Sequence, residues 1–159
     1  MAEVFERYLP DEAAVTTLAR HLAPLLGQGG VIHLHGDLGA GKTTFARALI
    51  GALGVTGRIK SPTYALIESY RCPGLVIHHL DLYRIADPGE LEWLGLDELQ
   101  AETSLVLVEW PERGGDALPA ADLRLSLAHA EPGRCLRAQA GSPRGEAWLA
   151  GISAAASVA

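Results

Sequence analysis

The sequence predicts an α/β fold, a mixed parallel and antiparallel sheet flanked by helices, in one domain over residues 1–159. Three observations predict it. His35-Gly36-Asp37-Leu38-Gly39-Ala40-Gly41-Lys42-Thr43-Thr44 contains G-x-x-x-x-G-K-[ST], a loop that joins a strand to a helix. The runs 31–34, apolar apart from His33, and 105–108, wholly apolar, have the character of strands covered on both faces, as parallel strands are. Two pairs of strand-like segments, each joined by a turn containing Pro and Gly, read as hairpins and make part of the sheet antiparallel.

In chain order, Val4 to Tyr8 reads as a short strand. Asp11 then opens a helix through Val15, Leu18, Leu22 and Leu25, stopped by Gly27, with Pro24 late enough to kink only its last turn. Val31 to Leu34 leads into the glycine-rich loop, and a helix from about Lys42 to Leu53 ends at Gly54. Val55 to Tyr64 has the Gly, Ser and Pro of an exposed connection. Ala65 to Tyr70 and Leu75 to Tyr83 form the first hairpin across Arg71-Cys72-Pro73-Gly74. Residues 87–102 carry six carboxylates and no basic residue, with Leu91, Leu94, Leu96 and Leu99 spaced for a helical segment broken at Gly95. Leu105 to Val108 is an apolar strand ending at Glu109-Trp110-Pro111. Asp122 to His129 and Cys135 to Gln139 form the second hairpin across Glu131-Pro132-Gly133. Pro143 to Val158 reads as a terminal helix anchored by Trp148, Leu149 and Ile152.

A chain of 159 residues can bury roughly 70% of its unfolded surface, so a second domain is not required. With 48% hydrophobic and 20% charged residues it has the composition of a globular chain. No apolar run reaches a membrane span, no export signal is visible at the start, and Cys72 and Cys135 form no disulfide framework. The expectation is a cytoplasmic protein. A formal charge of -6 argues against a broad sequence-independent grip on nucleic acid, which relies on Lys and Arg neutralising phosphates, so any work on RNA is expected to pass through a partner.

The chemistry centres on the loop. Gly36 and Gly41 allow the backbone to aim consecutive N–H groups at phosphate oxygens, and the following helix adds the positive end of its dipole. Lys42, expected in an exposed loop, would reach the β and γ phosphates, and Thr43 would offer its hydroxyl to Mg²⁺. With 18 glycines and two lysines, a chain of this composition matches the motif by chance roughly twice in a thousand. The flanking strand and helix make chance a poor account.

Such a loop requires a carboxylate to hold Mg²⁺. Glu109 closes an apolar strand, where a charge belongs at the C-terminal, ligand-binding edge of the sheet. Asp81, in His78-His79-Leu80-Asp81-Leu82-Tyr83-Arg84, also ends a strand, and could instead pair with Arg84. Glu109 is the expected metal ligand, with Asp81 orienting water. Ser61-Pro62-Thr63 fits both an ordinary turn and a mobile loop whose Thr63 senses the γ-phosphate, and spacing leaves both open. His33, His35, His78 and His79 lack zinc spacing and are expected to be hydrogen-bonded core or edge residues.

Taken together, Gly36-Asp37-Leu38-Gly39-Ala40-Gly41-Lys42-Thr43-Thr44-Phe45, Ser61-Pro62-Thr63-Tyr64, His79-Leu80-Asp81-Leu82-Tyr83-Arg84 and Glu109-Trp110-Pro111-Glu112-Arg113 resemble the TsaE (YjeE-type) family, small bacterial ATPases needed to make threonylcarbamoyladenosine in tRNA. The resemblance runs from about Phe5 to about Arg137 and includes Leu94-Gly95-Leu96-Asp97-Glu98. It implies a P-loop NTPase fold, ATP and Mg²⁺ as cofactors, and work in a complex with the TsaB and TsaD proteins, which would supply the contact with tRNA. By the same resemblance Lys42 and Thr43 serve phosphates and metal, Thr63 lies in a switch-like loop, Asp81 and Glu109 are the acidic site residues, and Trp110 adjoins the nucleotide. Beyond Gly141 the resemblance weakens, and nothing is carried over.

Three other functions compete. A GTPase is disfavoured because the chain has no asparagine for an Asn-Lys-x-Asp guanine reader and no Asp-x-x-Gly after the loop. A small-molecule kinase would usually bring an arginine-rich lid, and no arginine cluster stands in the sequence. A third reading is an assembly factor gated by nucleotide binding alone.

Overall fold

In the computed structural model, which describes residues 4–62, 65–95 and 103–158, a single sheet of seven strands organises the chain. The strands are β1 (Val4–Leu9), β2 (Gly30–Gly36), β3 (Ile67–Cys72), β4 (Leu75–Asp81), β5 (Ser104–Glu109), β6 (Leu123–Ala130) and β7 (Gly133–Ala140), in the spatial order β1-β7-β6-β2-β5-β4-β3. The four central strands β6, β2, β5 and β4 are parallel. On one side β7 and β1 continue antiparallel, and on the other β3 pairs antiparallel with β4. Both expected hairpins are present. The helices are α1 (Glu12–Leu22), α2 (Lys42–Ala52) and α3 (Pro143–Val158).

Local chemistry explains most boundaries. The Asp11 carboxylate accepts from the Ala14 N–H at 2.9 Å and caps α1, whose Val15, Leu18, Ala19 and Leu22 face the core. The α-helix stops three residues before Leu25. Pro24 has no N–H to give and crowds the preceding turn, so Ala23–Leu26 tighten into a 3-10 turn. In the first hairpin Gly74 adopts φ 74°, and β3 starts at Ile67, two residues later than expected. The acidic stretch breaks at Gly95 as its spacing predicts. Its described part is a 3-10 helix, Pro88–Leu94, held by reciprocal capping between Asp87 and Glu90 and ended by Gly95 at φ 63°. Leu96, Leu99 and the rest of residues 96–102 lie outside the described residues, as do Thr63 and Tyr64.

The strand period then sorts residues between two cores. Ile32, Leu34, Ile77, Leu105 and Leu107 point to the face covered by α1, α2 and α3, where Phe45, Leu49 and Ile50 of α2 complete the larger cluster. Val31, Leu80, Val106 and Val108 point to the other face and pack with Leu82, Ile85, Leu91 and Leu118 from the connections. Following the same alternation, His79 and Asp81 on β4 and Glu109 on β5 fall on the helix side. β2, β4 and β5 are parallel, so their C-terminal ends, Gly36, Asp81 and Glu109, share one edge of the sheet. Ligands of open α/β sheets bind at that edge.

Candidate nucleotide-binding site

A cavity of about 450 Å³ opens at that edge, between the loop after β2, the ends of β4 and β5, and the β6–β7 turn. Gly36 (φ 144°) and Gly41 (φ 106°) hold conformations that side chains disfavour, and a Cβ on Gly36 would meet the Leu127 carbonyl oxygen at 2.5 Å. The Ala40 N–H donates to Asp37 O at 3.0 Å and closes the turn. Leu38, Gly39, Gly41, Lys42, Thr43 and Thr44 line the cavity. Asp37 is exposed and Ala40 is fully buried; neither lines it.

Thr43, Asp81 and Glu109 converge. Asp81 and Glu109 are register partners on adjacent strands and both are buried. The Thr43 hydroxyl donates to Glu109 Oε1 at 2.7 Å. Asp81 Oδ1 accepts from the Tyr83 N–H at 3.0 Å. Buried carboxylates beside a hydroxyl form a hard-oxygen donor set of the kind that suits Mg²⁺. Among the described residues no group of three or more His, Cys, Asp or Glu is placed to hold a metal alone.

Lys42 departs from expectation. It is the first residue of α2 and only 5% exposed, not part of an exposed loop. Its ammonium donates to the Gly36 carbonyl and lies 3.5 Å from the centroid of the Trp110 ring. Burial lowers its pKa below the ordinary lysine value, partly offset by the carboxylates of Glu109, Glu112 and Asp81. Trp110 takes a left-handed conformation (φ 57°, ψ 49°) that costs a side chain of this size of order 1–3 kcal/mol. That turn aims the ring back over Lys42, against Tyr83 at 5.1 Å between centroids.

Two residues at this edge escaped sequence reasoning. Arg134 donates to Ala40 O at 3.1 Å through Nε and to Gly39 O at 3.3 Å through Nη2, so the second hairpin clamps the phosphate loop from behind. No local signal marks it. With Arg84 it also lines the cavity, which brings together arginines that are scattered in the sequence. His79, expected as an ordinary core histidine, is wholly buried with Nε2 2.6 Å from Glu109 Oε2. Its place two residues before Asp81 was the available signal. The other three histidines weighed as metal ligands are occupied elsewhere: His33 against Pro119 O at 3.1 Å, His35 against Glu112 at 3.2 Å, and His78 against Ser69 at 2.7 Å.

Arg134→Ala is expected to free the two loop carbonyls. Losing charge-assisted bonds of about 1.5 kcal/mol or more should raise amide-hydrogen exchange over residues 37–41 by about tenfold. Unchanged protection there would show that the loop holds itself.

A parallel sheet centre whose first central strand runs through a G-x-x-x-x-G-K-[ST] loop into a helix defines a protein of the P-loop NTPase fold. The crystal structure of Bacillus subtilis YdiB shares this architecture, with a TM-score of 0.81 at 29% identity over 96% of each chain. The family described as "Threonylcarbamoyl adenosine biosynthesis protein TsaE" matches residues 9–136, and the chain belongs to the TsaE family. Relatives named "tRNA threonylcarbamoyladenosine biosynthesis protein TsaE" include that of Haemophilus influenzae, 39% identical over 83% of this chain and 87% of its own length. The Bacillus subtilis protein of that name is 39% identical over 76% of this chain and 74% of its own. Among the described residues no helix is long and apolar enough to cross a membrane.

Proposed function

We propose that this chain binds ATP with Mg²⁺, hydrolyses it slowly, and supports threonylcarbamoyladenosine formation in tRNA within a cytoplasmic complex with TsaB and TsaD. The observation that carries the reading is the hydrogen bond from Thr43 to the buried Glu109 beside Asp81, at the mouth of a phosphate loop. In this reading Thr43 and Glu109 hold Mg²⁺, which when bound neutralises charge on the β and γ phosphate oxygens. The backbone N–H groups of the loop seat the phosphates. Lys42 exchanges the Gly36 carbonyl for a phosphate oxygen, moving under Trp110. Asp81, held by the Tyr83 N–H, orients a water. Thr63, outside the described residues, is the residue this reading assigns to sensing the γ-phosphate.

Slow turnover follows from how the cations are used. Lys42 has to leave a carbonyl, and Arg134 is occupied by two more. A phosphoryl-transfer site short of cations gains about 10³ to 10⁵ in rate when a partner supplies an arginine. The chain alone is expected to turn over well below ~10 s⁻¹, and TsaB with TsaD to change the rate.

The test is a reconstituted modification reaction run with ATP and with a slowly hydrolysed ATP analogue. Modified tRNA with ATP alone supports obligatory hydrolysis, whereas equal product with both would reassign the chain as a nucleotide-gated assembly factor. Arg84 and Arg134 at the cavity are the one feature that favours a small-molecule kinase. A phosphorylated small molecule formed in step with ADP would establish that reading instead.

A further inference from the structure

We propose that His79 is the positioning residue of Glu109: it fixes the carboxylate so that one lone pair on each oxygen stays turned toward the cation site. This rests on the Mg²⁺-dependent reading above and assigns a residue that reading leaves idle.

The geometry is that of a three-member chain. Thr43 Oγ1 donates to Glu109 Oε1 at 2.7 Å, and His79 Nε2 stands 2.6 Å from Glu109 Oε2. Each oxygen of the carboxylate thus has one partner, and the plane of the group is set at both ends. An ionised carboxylate offers about four lone-pair sites, so two remain. The Thr43 proton is committed to Glu109, which leaves the lone pairs of its oxygen for a cation.

His79 is not what packing alone would select. It is fully buried on the helix-side face of β4, between Ile77, which belongs to the core, and Asp81, which lines the cavity. Its second ring nitrogen, Nδ1, is buried without a hydrogen-bond partner among the described residues. A buried polar atom left unpaired costs about 1–3 kcal/mol, a cost that an apolar side chain of similar shape avoids. The position therefore trades stability for a hydrogen bond, and the group at the other end of it is Glu109. Residues that orient metal-binding carboxylates from behind act in this way, and their loss typically lowers metal affinity 10- to 100-fold.

The experiment measures binding of the β,γ-imido analogue of ATP by calorimetry, with Mg²⁺ and with a chelator, to the wild-type chain, His79→Leu and His79→Gln. The glutamine amide can place an N–H near the position of Nε2, and leucine cannot. His79→Leu is expected to lose about tenfold or more of the Mg²⁺-dependent gain in affinity, with chelator-phase affinity unchanged and with recovery in His79→Gln. The proposal is overturned if His79→Leu keeps the full Mg²⁺ gain, if the two variants lose it equally, or if chelator-phase affinity falls in step, the mark of a merely structural role. A wild-type chain that binds the analogue equally with and without Mg²⁺ would overturn the metal reading itself, a result distinct from any of these.

Discussion

Lys42→Ala is expected to abolish measurable ATP hydrolysis while leaving the sheet folded. Removing one preorganised donor to developing charge typically costs about 10²- to 10³-fold in rate. Nucleotide affinity should fall as well, by about tenfold or more, the worth of a charge-assisted hydrogen bond of about 1.5–3 kcal/mol. The fold should survive because Lys42 contributes little to it. Its ammonium touches one carbonyl and one ring, while α2 is anchored by Phe45, Ala46, Leu49 and Ile50. The ammonium is also desolvated, so its removal relieves a burial cost as it gives up the stack on Trp110. Lys42→Arg should not rescue the variant, since a larger planar guanidinium does not reproduce the compact point charge that the loop presents to phosphate. Normal hydrolysis by a folded Lys42→Ala protein would remove the site from this loop.

Glu109→Gln is expected to lose the Mg²⁺ dependence of nucleotide binding and most of the turnover. It keeps the shape of the side chain and a partner for Thr43 but carries no charge for a cation. Glu109→Ala should do more harm. It strips the remaining partner from the buried His79 ring and leaves the Thr43 hydroxyl unpaired, and each buried polar group left unsatisfied costs about 1–3 kcal/mol. Comparing the two by urea unfolding and by Mg²⁺ titration separates loss of the cation site from loss of the fold. Asp81→Asn provides the contrast: turnover should fall while Mg²⁺-dependent binding persists. If Asp81→Asn instead abolishes the Mg²⁺ response and Glu109→Gln retains it, the two carboxylates exchange roles.

Much of this molecule was legible in one dimension, for physical reasons that can be named. Strand and helix periods, Asp11 as a cap, Pro24 as a breaker and the two Pro-Gly turns act over a few residues, and each lands within a few residues of the structure. The phosphate loop is legible because its chemistry is contained in eight consecutive residues. The position of Glu109 and Asp81 at the cavity edge was legible because a charge ending an apolar strand has few explanations. In the acidic stretch the helical spacing and the break at Gly95 were legible, while Pro88, Gly89 and the Asp87–Glu90 cap make the described part a short helix of the 3-10 type.

The sequence by itself determined the class of fold, the loop, and the acidic residues that face it, since each depends on local geometry or on the alternation of a single strand. Only the tertiary structure decided which groups those residues meet. Register between β4 and β5 brings His79 onto Glu109 across 30 positions, and the placement of β7 beside β6 brings Arg134 onto Gly39 and Ala40 across 94 or more. Lys42 passes from an exposed side chain to a buried one because Trp110, at the end of another strand, turns left-handed and covers it. Contacts of this kind depend on strand order and on the depth at which a side chain emerges, and neither quantity is written in any short window of the chain.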